Sequence, residues 1–129
     1  MQPQKYWREI PQRYRTEAGK CAKCGKVFFP PRLICDKCGS REFKTVRLPE
    51  TGTVHTYTVI RTAPPGATAV APYVLAVVEL GKDVKVTMQI ADCGPEDVKI
   101  GDKVQVEFRK ISQVGHAGII CYGYKAVLA

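Results

Sequence analysis

The chain has 129 residues, of which 45% are apolar and 25% charged, which excludes a disordered, collagenous or fibrous protein. Its longest apolar run, residues 69–78, is broken by Pro72 and falls well short of the roughly 20 residues that span a bilayer. The opening MQPQKYWREI lacks the apolar core and cleavage site of a secretory signal, so the cytoplasm is the expected location. The net charge of +8 is carried by residues 1–47, with twelve Lys/Arg against four Asp/Glu, whereas residues 48–129 hold eight of each. That asymmetry divides the chain in two. The basic part suits phosphate, nucleic acid or an acidic protein surface, or simply keeps a module with little core in solution.

At the start of the chain, Tyr6, Trp7, Ile10 and Tyr14 recur at helical spacing, with Pro3 and Pro11 suited to first-turn positions. The pattern predicts two short helices, about residues 4–10 and 11–17, broken at Pro11. Their apolar stripe either packs on the module that follows or is an exposed anchor for a partner, since Trp, Tyr and Arg dominate interfaces.

Four of the six cysteines then form Cys21-x2-Cys24 and Cys35-x2-Cys38, with ten residues between the pairs. Each pair ends in a glycine, Gly25 or Gly39, able to take the positive φ that a tight turn needs after its second ligand. Two facing turns supply four sulfurs to one tetrahedral ion, a closed and therefore structural site. A redox CxxC does not explain two copies at this spacing. Iron in a rubredoxin-like centre shares the donor set, but the short spacer without acidic or aromatic wrapping favours zinc. Such a small module buries little core, so the metal supplies most of its folding free energy, about 10 kcal/mol.

Beyond residue 48 the period changes to two. Val84, Val86, Met88 and Ile90 alternate with polar residues, as do Val104, Val106 and Phe108. Residues 53–61, 73–80 and 119–127 read as three further strands rich in β-branched and aromatic side chains. Residues 94–102 suit a short helical turn followed by a sharp turn. The expected architecture is mainly β: an N-terminal helical segment (1–17), a rubredoxin-like zinc ribbon (18–47) and a five-stranded OB-type barrel (48–129). An OB barrel binds through its second and third strands and the loops after its first and fourth. Here those loops, Thr62–Pro72 and Ser112–Gly118, carry no charge unless His116 is protonated. Single-strand binders combine basic grooves with aromatic platforms, so a nucleic-acid role is the alternative that the barrel disfavours and the basic ribbon allows.

In this order and combination the residues resemble a known family of small zinc-ribbon plus OB-fold proteins, the domain of unknown function thirty-five. The likeness runs through Tyr6-Trp7, Tyr14-Arg15, residues 19–25, Phe28-Phe29-Pro30-Pro31-Arg32, residues 35–40, Gly52-Thr53-Val54, residues 56–59, Ala71-Pro72-Tyr73, Ile100-Gly101 and Tyr122-Gly123-Tyr124-Lys125. Some relatives lack ribbon cysteines; this chain has all four. The resemblance implies a non-catalytic accessory subunit of thiolase-like enzymes. Its partners would be acetoacetyl-CoA thiolase with hydroxymethylglutaryl-CoA synthase, or a heteromeric β-oxidation thiolase. In such assemblies the small subunit helps enclose coenzyme A or acyl-CoA, and the partner supplies the catalytic Cys and His.

Within that frame Tyr6, Trp7, Ile10 and Tyr14 are the candidate partner contacts. Arg32, Tyr122, Tyr124 and Lys125 are candidates for coenzyme A, whose anionic nucleotide end wants a cation near an apolar channel. Tyr122 and Tyr124 share a strand face, and the uncharged loop 62–72 is able to cover the pantetheine arm without desolvating a charge. No residue is assigned to catalysis. Cys93 lies among the acids Asp92 and Glu96, which raise a thiol's pKa, and Cys121 sits mid-strand between Ile120 and Tyr122. Neither His55 nor His116 belongs to a motif that pairs it with a nucleophile.

Overall fold

The computed structural model describes residues 3–62, 64, 72–81, 84–113, 117–118 and 120–129. The N-terminal segment forms helices α1 (Pro3–Arg8) and α2 (Ile10–Arg15). The break falls at Glu9 (φ −95°, ψ 0°) rather than at Pro11, which sits in the first turn of α2 where its missing N–H is harmless. Glu9 and Arg13, one turn apart, pair at 2.8 Å across the break. The second helix also ends sooner than the expected residue 17. Thr16 takes the left-handed conformation (φ 48°, ψ 45°), and Glu17 already begins a strand. Helical periodicity alone cannot see that reversal, which Thr16 makes while buried.

Strands β1 (Glu17–Cys21), β2 (Val27–Phe28) and β3 (Phe43–Arg47) form an antiparallel sheet in the order β2-β1-β3. No alternation announces these strands. Residues EAGKC bury Ala18, Gly19 and Cys21 without a period-two pattern, because small residues and a metal ligand fill the space. One side of the sheet belongs to the larger core: Ala18 is wholly buried in the barrel's cluster, and Val27, Phe29 and Val46 pack against it.

The barrel consists of β4 (Thr51–Ile60), β5 (Tyr73–Glu79), β6 (Lys85–Ala91), β7 (Lys103–Gln113) and β8 (Ile120–Leu128), closed in the order β4-β5-β6-β8-β7. β4 turns from β5 to pair with β7, and β6 runs parallel to β8 through Ile90↔Ala126 and Ala91↔Val127. This is the five-stranded OB arrangement that the alternation predicts. Val74, Ala76, Val78, Val86, Met88, Ile90, Val104, Val106 and Ala126 fill the interior. Each buried Val, Ile or Met side chain contributes about 1.5–3 kcal/mol of transfer free energy.

Strand limits differ from expectation by at most two residues, except in β7, which runs on to Gln113. Ser112 and Gln113, expected in the loop 112–118, continue the ladder with Cys121 and Ile120 past a bulge after Lys110. Residues 114–116 and 119, and residues 63 and 65–71 of the loop 62–72, lie outside the described residues.

Between β6 and β7 the stretch 94–102 makes two successive turns, with the Asp97 N–H donating to the Gly94 carbonyl and the Asp102 N–H to the Lys99 carbonyl. Side chains lock both: Asp97 Oδ2 accepts from the Gly94 N–H and Asp102 Oδ2 from the Lys99 N–H, each at 2.8 Å. Val98 anchors the insertion in the core, and hydrogen bonds from the Val54 N–H to the Asp102 carbonyl and from the Gly101 N–H to the Val54 carbonyl tie it to β4.

Closure also requires a residue without a side chain at 52. A Cβ on Gly52 would meet the Glu79 carbonyl oxygen at 2.5 Å and Leu80 Cδ2 at 2.8 Å. Backbone cannot retreat there without opening the β4–β5 ladder. Gly52→Ala is therefore expected to lower stability by about 1–3 kcal/mol, the range of core overpacking. Urea unfolding followed by tryptophan fluorescence and circular dichroism checks this, and an unchanged midpoint contradicts it.

Candidate metal centre and interaction surface

The Sγ atoms of Cys21, Cys24, Cys35 and Cys38 all lie within 4.8 Å of one another. Two similar turns deliver them. In the first, the Gly25 N–H donates to the Cys21 carbonyl and the Cys21 N–H to the Lys26 carbonyl. In the second, the Gly39 N–H donates to the Cys35 carbonyl and the Cys35 N–H to the Ser40 carbonyl. Gly25 (φ 77°) and Gly39 (φ 73°) occupy matching left-handed positions. Sulfurs separate by 3.5 Å between Cys21 and Cys38 and by 3.4 Å between Cys24 and Cys35. Tetrahedral zinc with bonds of about 2.3 Å places its sulfurs about 3.8 Å apart, so the four thiols fit the ion after small adjustments.

The local electrostatics favour ionised sulfur at two corners, Cys21 and Cys35. The Cys24 backbone N–H, aimed at Cys21, brings that thiol down to about 6. At Cys24 the Lys26 N–H also lowers the value, but burial and the three neighbouring sulfurs prevail and push it up to about 11. A divalent cation removes this competition by holding all four as thiolates. Beyond the sulfurs the local core is Phe28, with Phe43 edge-on at 6.0 Å. That is too little apolar burial to order both knuckles, so the metal is structural.

The N-terminal stripe divides. Tyr6 is half-buried, and its hydroxyl accepts a 3.1 Å hydrogen bond from the Tyr122 N–H of β8. Trp7 is 71% exposed and Tyr14 59%, and Ile10 also faces solvent. Tyr14 meets Phe108 edge-on at 5.1 Å, and Phe108 meets Tyr122 at 5.3 Å. Phe108 shares a strand face with Val104 and Val106, which the alternation reads as core. At this end β7 and β8 outrun the core, and their inward face surfaces beside α1 and α2. While Trp7 stands exposed on α1, the result is an aromatic patch of Tyr14, Phe108 and Tyr122 that joins sequence-distant elements. Only its N-terminal part is signalled by the sequence.

The four coenzyme A candidates occupy three places. Arg32 lies on the ribbon with its guanidinium over the Phe28 ring at 5.1 Å. Tyr122 belongs to the aromatic patch. Tyr124 packs on Phe29 at 5.5 Å and borders a cleft of about 360 Å³ beneath α2, with Leu75, Met88 and Ile111. Lys125 points to the other side of β8, into a cavity of about 400 Å³ with Gln89, Asp92, Cys93 and Arg109. The cleft and the cavity share Tyr73 and Gln89, so Tyr124 and Lys125 approach one wedge between β6 and β8 from two sides. Arg32 borders neither.

Burial raises the Cys93 thiol first, followed by Asp97 and Asp92. Asp97 thus takes the part expected of Glu96. Cys121 is sealed in the structure at 2% exposure, and His55 lies exposed on β4. His116 lies outside the described residues.

A four-cysteine ribbon whose sheet packs into an OB barrel defines the class of this protein. Two family profiles match it: "ChsH2, rubredoxin-like zinc ribbon domain" over residues 8–44 and "ChsH2, C-terminal OB-fold domain" over residues 45–109. A "DUF35 domain-containing scaffold protein" of Methanothermobacter thermautotrophicus is 44% identical over 120 residues, covering 92% of this chain and 90% of its own. A "Probable enoyl-CoA hydratase alpha subunit" of Thermomonospora curvata is 30% identical over 103 residues, 80% of this chain but 32% of its own. Among solved structures, one titled "Ltp2-ChsH2(DUF35) aldolase" superposes with a TM-score of 0.73 at 25% identity, covering 97% of this chain and 92% of the other. The chain belongs to the DUF35 family of zinc-ribbon plus OB-fold proteins.

Elemental analysis of protein purified under reducing conditions is expected to give one zinc per chain. Cys38→Ser should lose the metal and the protection of the Gly25 and Gly39 amides while the barrel ladders persist. Metal-free protein with an ordered ribbon contradicts a structural role for the ion.

Proposed function

We propose that this chain is a cytoplasmic, non-catalytic scaffold subunit that binds a thiolase-like enzyme and helps enclose its acyl-CoA. The partner is either acetoacetyl-CoA thiolase, acting with hydroxymethylglutaryl-CoA synthase, or a heteromeric β-oxidation thiolase. Residues 1–17 form the docking segment, 18–47 the zinc ribbon and 48–129 the OB unit. The carrying observation is a set of exposed aromatics: Tyr14 stands largely in solvent against Phe108, which meets Tyr122, and Trp7 stands largely in solvent on α1. Large rigid aromatics rimmed by arginine are what interface hot spots are made of, and Arg8 and Arg15 flank this patch in the chain. The reading is supported by relatives named as scaffolds, by a structural neighbour titled as an aldolase assembly and by a relative named as a subunit of an acyl-CoA enzyme.

In this scheme the partner supplies the reacting groups, and Arg32, Tyr122, Tyr124 and Lys125 contribute to the coenzyme A enclosure. Nucleic acid is the less favoured partner. Several cations of the basic half are already engaged, in the pairs Arg13–Glu9, Arg15–Glu17, Lys26–Asp36 and Arg47–Glu50. Retention on single-stranded DNA that falls steeply with salt would favour it instead.

Trp7→Ala and Tyr14→Ala are each expected to weaken association with the thiolase-like enzyme by about 2 kcal/mol or more. Ile100→Ala, equally exposed but on the insertion, should leave it unchanged. Calorimetric titration checks this, and full affinity in both aromatic variants removes the patch from the interface. Arg32→Ala should weaken coenzyme A binding to the assembled complex by about 1–3 kcal/mol, the loss of one charge-assisted hydrogen bond. An unchanged affinity takes Arg32 out of the enclosure.

A further inference from the structure

The ribbon carries a surface that neither the metal nor the barrel explains. Residues 30–34, Pro-Pro-Arg-Leu-Ile, run from β2 to the second knuckle, and all five are exposed. Leu33 is 86% exposed, above every other large apolar side chain described, and Ile34 beside it is 51% exposed. The segment is nevertheless fixed at both ends. Pro31 rests on β1, 3.6 Å from where a Cβ of Gly19 would stand, and Cys35 is buried in the metal cluster. Between them the Arg32 guanidinium lies over the Phe28 ring at 5.1 Å. Leu33 and Ile34 thus form a braced aliphatic knob, held in water without the transfer free energy that burial would release.

The knob stands in a field of one sign. Residues 18–47 hold eight Lys and Arg and, as acids, only Asp36 and Glu42. Asp36 is taken by Lys26 at 2.7 Å. Among the described residues Lys20, Lys23, Lys37, Arg41 and Lys44 enter no ion pair. Lys20 and Lys44 even stand directly opposite each other in the β1–β3 ladder, both exposed, an arrangement that costs stability. Lys23 and Lys37 occupy matching positions in the two CxKC turns that hold the knob's base.

Uncommitted cations around an exposed aliphatic pair are complementary to carboxylates around an apolar socket. A second copy of this chain is a poor occupant, because its ribbon brings the same charge. Single-stranded nucleic acid wants aromatic platforms, and this knob is aliphatic. A stiff knob loses little freedom on entering a socket of fixed shape, which only a folded protein offers.

We propose that the ribbon tip is a second docking surface. Leu33 and Ile34 enter an aliphatic socket on the enzyme partner, and Lys23 and Lys37 meet carboxylates on its rim. The inference takes the partner's identity from the scaffold reading above but shares no residue with the exposed aromatics of α1, α2, β7 and β8.

Methyl NMR of the zinc-loaded full chain, with the thiolase-like enzyme added, tests this directly. The Leu33 and Ile34 methyl signals and the Trp7 indole signal are expected to shift or broaden beyond those of the buried Leu80 and Ile90. A response of Trp7 with both methyl groups unchanged overturns the inference and leaves the scaffold reading intact. A response of the methyl groups without Trp7 supports the tip and removes the aromatic surface. No response at any of the three overturns both. The double variant Leu33→Ser, Ile34→Ser should keep its zinc, since both side chains lie in solvent, and bind the enzyme about tenfold more weakly. Lys37→Glu should also weaken binding and flatten its fall with salt. Full affinity in both variants overturns the inference. So does a response of the two methyl groups to phosphatidylserine vesicles or single-stranded DNA but not to the enzyme, which assigns the tip to another class of partner.

Discussion

The last strand, β8, is the constraint on which the molecule turns. It pairs antiparallel with β7 along nearly its whole length and parallel with β6 for two residues, and those two ladders close the barrel. The inward face of the same strand carries Ala126 in the core, Tyr124 against Phe29 of the ribbon, and Tyr122, whose N–H holds Tyr6 of α1. Barrel closure, ribbon seating and helix docking thus draw on consecutive inward positions of one strand. Because β8 meets β6 only at Ala126 and Val127, it also opens the wedge that Lys125 and Tyr124 border.

The ribbon depends on two supports of different kinds. Its knuckles have only Phe28 and Phe43 as apolar filling and so need the ion. Its sheet needs the barrel, since Ala18 is buried in the barrel cluster and Val27, Phe29 and Val46 lean on it. A metal-organised tip on a sheet that shares its neighbour's core is held in a fixed attitude to the barrel. That rigidity is what a scaffold requires, because binding then orders few side chains that were loose before.

The features legible in the sequence are those that rest on local rules. Two CxxC-Gly turns specify the metal, and strict alternation in β6 and β7 specifies half-buried strands. What the sequence hides depends on where elements end relative to one another. Phe108 alternates in phase with Val104 and Val106 but becomes surface, because β7 extends beyond the core it helps to build. Tyr124 and Lys125 are neighbours in the chain and face opposite ways, so proximity in sequence separates them in space. The ribbon strands escape notice because a metal and small residues, rather than alternating aliphatics, bury them. The insertion at 94–102 reads as two successive turns, and what composition leaves out is how Asp97 and Asp102 lock them by accepting from backbone N–H groups.

The central claim, that this chain lends a preformed aromatic surface to a catalytic partner, is tested most directly by hydrogen exchange on the chain alone and in complex with a thiolase-like enzyme. The account predicts slowed exchange over residues 4–15, 106–110 and 120–124, with β5 unchanged. Protection confined to β5 and β6, or no change anywhere, would contradict it.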